Sequence, residues 1–434
     1  MCNKINENAN FKKLISTTES FVEYKKKCIP LCAAENVMSP FAKLALLTSA
    51  QEKYVMGGVL EYIEDDNFIG GELIYPFYKI IDDQCKLLFD SLYADARTLT
   101  GMNAITTLLM SLLKPGDTIA FSEPDCGGHA SIPDICRRLG LKLVSLPYDY
   151  NAMDFDYDKI NQLILQKDID AILICISDIV NNPDFSKLSK SKSIPIIYDA
   201  TQTLGLIAGH SVCNPFIYFK DTYPFILMGA THKTIPGPSC ALIMTRNLSL
   251  AKKFEAKINP MYIRNTQMHQ KMSLILTLLE MEFFGKEYSQ KIIDNSRTLA
   301  SILAQKGFHV LNQENGYTQT HQVHFACSEE QMHYFYDNCN YYNVTLNFKT
   351  KKLFKYAGIR IGTQEISRYG WQTEDLQILG ELLDIFMQYP CIYKTEANAR
   401  VAQDIINRLM IKKHTNYTFL ANEYDDKISS LFMD

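Results

Sequence analysis

Short apolar runs alternate with helical segments through the central part of the chain. The runs at residues 119–121, 141–146, 171–176, 194–198, 225–228 and 241–244 are apolar on both faces, as is typical of strands buried in a mainly parallel sheet. Strands that alternate with helices predict a doubly wound α/β domain. Such sheets bind ligands at the carboxyl ends of their strands. We therefore expect functional residues directly after these runs.

The pattern changes near residue 285. A helical stretch at about 281–306 leads into a β-rich segment at 309–361, which predicts a smaller α+β domain. We predict four parts: an N-terminal arm at 1–45 that reaches over this subunit or a partner, a large α/β domain at 46–285, a small α+β domain at 286–392, and a helical tail at 393–434. In the tail, Val401, Ile405 and Leu409 have helical spacing, which predicts an amphipathic helix at about 395–412.

Composition and charge exclude several classes of function. Lys and Arg total 44 against 48 Asp and Glu, a formal net charge of −4, and no dense basic cluster suggests a nucleic-acid partner. The polar N-terminus MCNKINENAN lacks the apolar core of a secretory signal, and the apolar runs are too short to span a bilayer. We expect a cytoplasmic protein with no membrane or nucleic-acid partner. The 12 cysteines are scattered, which indicates reduced, buried thiols and no metal site.

Two polar residues follow apolar runs in the predicted sheet. Lys233 lies in the polar turn THKTIPGP at 231–238. A lysine at the mouth of a sheet is partly desolvated, which lowers its pKa and makes the amine a nucleophile, although most lysines are solvated surface charges. Asp199 ends the run at 194–198, 34 residues earlier. It can hold the protonated pyridine nitrogen of a cofactor, or cap the next helix.

Three further motifs suit a bound cofactor and its substrate. Thr100, Gly101 and Met102 precede a predicted helix at about 103–113, where free N–H groups and the helix dipole favour a phosphate. His129 follows two glycines that allow close backbone approach, so its imidazole can lie on a pyridine ring, or serve a structural role. Arg360, inside the apolar run GIRIG at 358–362, needs an anionic partner: a substrate carboxylate or a structural ion pair.

These motifs, in this order, resemble serine hydroxymethyltransferase and its relatives among the fold-type-I enzymes that use pyridoxal 5'-phosphate (PLP). The resemblance runs from about residue 33 to about 370 and includes KPGD at 114–117 and GLIA at 205–208. A closer similarity is to the L-threonine transaldolases of the same superfamily. It rests on THKTIPGP at 231–238, EMEFFGKEY at 280–288 and TQTHQVHF at 318–325.

The resemblance implies the fold, the cofactor and the roles of the site residues. It implies a mainly parallel sheet of seven-stranded type with helices on both faces, and a smaller α+β C-terminal domain. Lys233 then forms the Schiff base with PLP, and Arg360 binds the substrate carboxylate. The other implied PLP contacts are Thr100, Gly101, Met102, His129, Asp199, Gln202 and His232. Tyr54 matches a tyrosine that enters the active site from a partner subunit, which implies a homodimer with shared sites.

The activity implied is that of a transaldolase. Such an enzyme cleaves L-threonine to acetaldehyde and a glycyl quinonoid, then adds the quinonoid to an acceptor aldehyde to give a β-hydroxy-α-amino acid. The alternatives are a folate-dependent serine/glycine hydroxymethyltransferase, a simple threonine aldolase, another PLP reaction such as decarboxylation, and a binding subunit without catalysis.

Departures from the hydroxymethyltransferase pattern argue against folate use. Met56 stands where a glutamate serves the folate chemistry, Ile69 where a tyrosine precedes paired glycines, and Ala34 where a serine precedes Glu35. Gln202 replaces the histidine of a D-x-x-H pattern; it can hydrogen-bond the cofactor phenolate or the substrate hydroxyl, but it cannot take a proton. The candidates for that proton transfer are His232, Tyr54, His129, a bound water, and Glu35, for which a structural or substrate-binding role is equally open.

Overall fold

A seven-stranded sheet forms the centre of the molecule. The computed structural model describes residues 2–54, 58–60, 69–424 and 426–432. Four of the six neighbouring strand pairs are parallel, and the strand Ala241–Thr245 runs antiparallel to both of its neighbours. The spatial order is Tyr93–Asp95, Ala241–Thr245, Phe225–Ala230, Ile196–Asp199, Ala171–Cys175, Thr118–Phe121, Lys142–Ser145. The mostly parallel sheet predicted from the sequence is confirmed.

Burial explains which strands the sequence predicted well. Every residue of Ala171–Cys175, Ile196–Asp199, Phe225–Ala230 and Ala241–Thr245 is buried, as the apolar runs indicated. The strand Lys142–Ser145 differs, because it lies at an edge of the sheet and both of its end residues are exposed. The prediction that it is buried on both faces is wrong. The opposite edge strand, Tyr93–Asp95, has only three residues and was not predicted.

Helices cover both faces of this sheet and create two separate apolar cores. The longest, Met268–Gln305, has 38 residues and begins 13 residues before the predicted start at about 281. The helix predicted from about residue 103 begins at Gly101. The helices of this region are Tyr75–Phe89, Gly101–Leu112, Ile132–Arg138, Tyr157–Gln166, Leu204–Ala208, Leu248–Ala256 and Met268–Gln305.

A second, four-stranded antiparallel sheet lies in the C-terminal part, as the β-rich segment indicated. Its spatial order is His309–Val310, Gln322–Ala326, Gly358–Gly362, Asn347–Lys349. The helices Glu329–Tyr341, Gln364–Arg368 and Thr373–Gln388 accompany it. The predicted boundary at residues 285 and 286 falls inside the helix Met268–Gln305, so the division into domains stays a prediction.

The tail contains the predicted amphipathic helix, Glu396–Met410. Ile405 and Leu409 are buried as predicted, but Val401 is 48% exposed and Ala402 is buried instead. The buried face of the helix therefore includes Ala402 instead of Val401, and the other two predicted positions are correct. A short helix, Asp426–Leu431, follows it.

The N-terminal arm begins with the helices Cys2–Glu7 and Ala9–Lys27, and no side chain of the second is buried. The strand Ile29–Pro30 then pairs in parallel with Val344–Thr345. The short helix Pro40–Lys43 contacts the long helix. A hairpin, Tyr148–Asp149 with Asp154–Phe155, completes the strands. The arm contacts both main parts of the molecule after residue 30: the Leu31 carbonyl accepts from the Gly362 N–H at 2.8 Å, and Asn36 donates to the Lys233 carbonyl.

The described ranges were searched for membrane-spanning helices and for metal sites. No helix there is long and apolar enough to cross a membrane, and no group of three or more His, Cys, Asp or Glu side chains is arranged to hold a metal ion. All 11 cysteines from Cys28 to Cys391 are unpaired. Seven of them are buried, as their apolar sequence surroundings predicted, whereas Cys213 is exposed.

Candidate active site

Three parallel strands end at one edge of the large sheet, and Asp199 and Lys233 lie there. Asp199 is the last residue of the strand Ile196–Asp199. Its carboxylate accepts hydrogen bonds from the Thr201 backbone N–H at 2.9 Å and from the Cys175 thiol at 3.2 Å. The N-cap residue of the next helix is Thr203, so the helix-capping alternative for Asp199 is wrong. The carboxylate is buried and available to a cationic ligand atom.

Lys233 follows the strand Phe225–Ala230 by three residues. Burial lowers the pKa of its ammonium; the negative charge of Asp199 opposes this shift, and the positive charge of Arg360 adds to it. The desolvated amine is therefore more easily deprotonated than a surface lysine, as the sequence predicted. Asn36 of the arm donates from Nδ2 to the Lys233 carbonyl and, at 2.8 Å, to the Tyr288 hydroxyl. No positioning role was predicted for Asn36 from the sequence.

The paired glycines bring His129 to the ends of the strands. A Cβ on Gly128 would lie 2.2 Å from the Ser122 carbonyl oxygen, so a side chain there would force the turn apart. The His129 backbone N–H donates to the Cys175 carbonyl at 3.1 Å. Its Nδ1 accepts from the Ser131 backbone N–H at 3.2 Å, and burial lowers the pKa of the imidazole. His129 is therefore neutral at pH 7, with its proton on Nε2.

The helix Gly101–Leu112 directs its N-terminus toward the same edge. Thr100 caps it, its hydroxyl accepting from the Asn103 backbone N–H at 3.1 Å. A Cβ on Gly101 would lie 3.3 Å from the Ala230 Cβ, so this turn lies against the strand that leads to Lys233. The first N–H groups of a helix have no partner within it and carry partial positive charge. Together with Met102, this turn forms a cradle suited to a phosphate.

Arg360 lies in the strand Gly358–Gly362 and is only 5% exposed. Its Nη1 donates to the Ser177 carbonyl at 3.0 Å and to Asp178 Oδ1 at 2.8 Å, and its Nη2 donates to Asn347 Oδ1 at 2.7 Å. The structural ion pair considered as an alternative is therefore present. The Nε atom is buried and has no hydrogen-bond partner in the described part of the chain. Of its five N–H donors, Arg360 therefore keeps two for a ligand, the Nε–H and the second N–H of Nη2.

Gln202 is buried and its amide orientation is set by Gln322. Gln322 Oε1 accepts from the Ile179 backbone N–H at 3.1 Å, so Gln322 Nε2 is the donor to the Ser177 carbonyl at 3.0 Å and to Gln202 Oε1 at 3.1 Å. The carbonyl oxygen of Gln202 is thus occupied, and its Nε2 remains as a donor. Gln322 belongs to the TQTHQVHF motif, but the sequence did not predict this contact.

The remaining predicted residues differ in their burial and in their hydrogen-bond partners. His232 is half-buried; burial and the adjacent Lys233 charge lower its pKa, and its Nδ1 has no partner among the described residues. Tyr54 is 39% exposed in the single chain. Glu35 is exposed, and its backbone carbonyl accepts from Gln364 Nε2. Ile69 is exposed, and Met56 lies outside the described residues.

The arrangement fits PLP. A desolvated amine, a buried carboxylate, a neutral imidazole and a helix N-terminus meet at one sheet edge, and close packing at Gly101 and Gly128 holds the two turns against the strands. These are the groups that would bind the aldehyde carbon, pyridine nitrogen, ring face and phosphate. Away from this cluster, a cavity of about 770 Å³ is lined by residues that include Asp184, Tyr198 and Arg297, none of which belongs to the site.

Comparisons with known proteins show what the sequence and the fold of the chain are similar to. The sequence model of the family described as serine hydroxymethyltransferase matches residues 8–383. The serine hydroxymethyltransferase of Staphylothermus marinus is 29% identical over 376 residues, 83% of each chain. That of Thermoplasma volcanium is 27% identical over 409 residues, covering 90% of this chain and 92% of its own.

Among solved structures, an L-threonine transaldolase from Pseudomonas fluorescens in its internal aldimine state superimposes with a TM-score of 0.88. The match covers 99% of this chain and 98% of that one, at 24% identity. At this identity, the likeness shows a shared fold.

Proposed function

We propose, from the premise that this chain belongs to the serine hydroxymethyltransferase family and is a PLP-dependent enzyme, that it is an L-threonine transaldolase. It would cleave L-threonine to acetaldehyde and transfer the remaining glycine unit to a second aldehyde, giving a β-hydroxy-α-amino acid. The observation that carries this proposal is the Gln202 amide, oriented by Gln322 as a hydrogen-bond donor that cannot exchange a proton.

The lifetime of the glycine carbanion separates a transaldolase from a simple aldolase. A transaldolase must keep Cα unprotonated until a second aldehyde arrives. Gln202 is not an acid, and the lowered pKa values of His129 and His232 keep both imidazoles neutral near pH 7. Acids able to protonate Cα quickly are therefore scarce among these residues, which favours capture by an aldehyde over release of glycine.

PLP supplies an electron sink for the pair of electrons left on Cα. Lys233 would hold it covalently through Nζ, Asp199 would hold its pyridine nitrogen, His129 would lie on its ring, and the turn at Thr100, Gly101 and Met102 would bind its phosphate. Asp178 and Asn347 fix the guanidinium of Arg360. Arg360 then orients the amino acid by its carboxylate, so that the bond to be broken has a fixed direction.

Cleavage requires a base for the threonine hydroxyl. Gln202 cannot take the proton, and the unprotonated nitrogen of His129 is occupied by the Ser131 N–H. His232 is neutral and has an unpartnered Nδ1 among the described residues, so we assign the proton transfer to His232 in preference to Tyr54, Glu35 or a bound water. Gln202 Nε2 would donate a hydrogen bond to the cofactor phenolate or to the substrate oxygen, where negative charge develops.

A homodimer with shared sites accompanies this proposal. The exposed arm helix Ala9–Lys27 carries exposed Leu14, Phe21 and Val22, and Tyr54 is partly exposed after a turn at Ser49–Glu52. A second copy of the chain would cover these apolar side chains and use Tyr54 in its own site.

The choice between transaldolase and folate-dependent transfer is tested with the PLP-loaded enzyme. We expect acetaldehyde, assayed with alcohol dehydrogenase, to be released from L-threonine without folate, and to be lost in Lys233→Ala. The curated relatives carry the name of the alternative. Activity only with L-serine and tetrahydrofolate, and none with L-threonine, would show that the hydroxymethyltransferase activity is the correct one.

A further inference from the structure

Positive charge exceeds negative charge beside the substrate-binding arginine. Asp178 lies three residues after the end of the strand Ala171–Cys175 and is fully buried. It forms salt bridges with Arg360 at 2.8 Å, Lys349 at 3.1 Å and Lys351 at 2.7 Å. Three cations share one carboxylate, so this cluster carries a charge of +2. Asp199 and Lys233 balance one another at the adjacent position, and the nearby imidazoles are neutral.

Each cation keeps hydrogen-bond donors that the protein does not use. Lys351 Nζ contacts the Gly128 carbonyl at 3.1 Å and Asp178, which leaves one of its three N–H groups. In the described ranges Lys349 Nζ pairs with Asp178 alone, and Arg360 Nε has no hydrogen-bond partner. The Lys349 and Lys351 side chains are 18% and 19% exposed. Their free donors can therefore reach a ligand.

The position of Lys351 links the cluster to the reacting end of the site. Its Gly128 contact is one residue from His129, and its charge is among those that lower the pKa of His129. Asp178 needs one cation to be paired. The carboxylate of the amino acid substrate neutralises one more charge, through Arg360. One unit of positive charge remains, in a partly desolvated position where an uncompensated charge is costly.

We propose that Lys349 and Lys351 bind an anionic group, a carboxylate or a phosphate, on the acceptor aldehyde. The proposal rests on the transaldolase function and names its substrate class. With a carboxylate on the acceptor, the cluster is neutral in the full complex, because Asp178, the substrate carboxylate and the acceptor carboxylate offset Arg360, Lys349 and Lys351. With a neutral acceptor, Lys349 and Lys351 share the single carboxylate of Asp178, and one unit of positive charge has no counter-ion.

The test compares acceptors of matched shape with the PLP-loaded enzyme and saturating L-threonine. 4-Formylbenzoate and 4-nitrobenzaldehyde have nearly the same size and differ in charge; 4-formylphenyl phosphate distinguishes a phosphate from a carboxylate preference. We expect kcat/KM to favour an anionic acceptor, and Lys349→Met and Lys351→Met each to lower the anionic-to-neutral ratio by about tenfold, the size of a lost charge-assisted hydrogen bond.

Two further variants control for a purely structural role. Lys351→Arg keeps the charge and should retain most of the preference. Lys352→Met removes the adjacent exposed lysine, which lies over the Tyr150 ring, and should leave the ratio unchanged. If the lysine variants slow both acceptors equally, or if the unaltered enzyme prefers 4-nitrobenzaldehyde, the lysines serve only to hold Asp178 and the proposal is wrong.

Failure of the transaldolase proposal is separable from failure of this one. Acetaldehyde release without an acceptor tests the cleavage alone. Calorimetry with the unreactive 4-(hydroxymethyl)benzoate and 4-nitrobenzyl alcohol tests the anion site without turnover. Tighter binding of the benzoate, weakened in Lys351→Met, supports the anion site even if no acetaldehyde appears. Equal binding of the two alcohols contradicts it even if cleavage is fast.

Discussion

The Gln202 amide shows how a single contact can determine what a residue offers to a substrate. An amide can present either an oxygen or an NH2 group. The Ile179 N–H fixes Gln322, and Gln322 in turn occupies the Gln202 oxygen. Gln202 therefore presents a donor, as a neutral histidine with its proton on the facing nitrogen would. Unlike the histidine of the D-x-x-H pattern, however, Gln202 cannot carry a proton. Another group must therefore transfer it.

Gln322→Leu is the variant that isolates this effect. Without Gln322 the Gln202 amide is free to rotate, and we expect kcat for L-threonine cleavage to fall by up to about tenfold, the value of one hydrogen bond aligned with developing charge. The exposed Gln313→Leu should have no effect. A double-mutant cycle with Gln202→Leu decides the cause: if Gln322→Leu lowers kcat by the same factor with and without Gln202, it does not act through that amide.

At the scale of the elements, the site is built where strands end and glycine turns begin. Gly128→Ala would introduce a Cβ 2.2 Å from the Ser122 carbonyl and displace the turn that holds His129. We expect a loss of a few kcal/mol in the free energy of unfolding and weaker PLP binding. Gly316→Ala is the control, since its φ of 74° is strained but no atom lies within 4 Å; it should cost about 1 kcal/mol. Unchanged PLP affinity in Gly128→Ala would contradict the role of the turn.

The sequence predicted the elements better than the contacts between them. Strands buried on both faces have a continuous apolar pattern, so Ala171–Cys175 and Phe225–Ala230 were predicted within two residues of their observed ends. Asp178 was missed although it follows such a run, because its partner Arg360 lies 182 residues away. Gln322 and Gln202 are 120 residues apart. No local sequence pattern marks either pair, because only the tertiary fold brings the two residues of each pair together.

At the scale of the whole molecule, a shared active site predicts complementation between subunits. Lys233→Ala and Tyr54→Phe should each impair activity when expressed alone. In a mixed dimer, one site would carry both substitutions and the other neither, so co-expression should restore activity. Mixing Lys233→Ala with the exposed-surface variant Tyr356→Phe should restore only the activity that its Tyr356→Phe subunits contribute. Absence of rescue by Tyr54→Phe would mean that Tyr54 acts within its own chain, or not in the site.

Two buried histidines make the stability of the molecule depend on pH. Burial lowers the pKa values of His321 and His324 to about 3, against 6.5 for the unfolded chain. Between these values the unfolded state binds more protons, so stability falls as the pH drops from about 6.5, by up to about 1.4 kcal/mol per pH unit for each histidine. Urea unfolding at pH 7 and pH 5 measures this slope. It should be smaller in His324→Gln and unchanged in His333→Gln, an exposed control; equal slopes in all three proteins would refute the assignment.

The fate of the glycine unit tests the central claim most directly. The PLP-loaded enzyme is incubated with L-threonine labelled with ¹³C at Cα and with 4-formylbenzoate, without folate, and labelled products are counted against acetaldehyde. We expect a labelled β-hydroxy-α-amino acid to form in nearly the same amount as acetaldehyde, with little labelled glycine. Labelled glycine equal to the acetaldehyde released, with no new amino acid for this or for a neutral acceptor, would identify a simple threonine aldolase and contradict the transaldolase account.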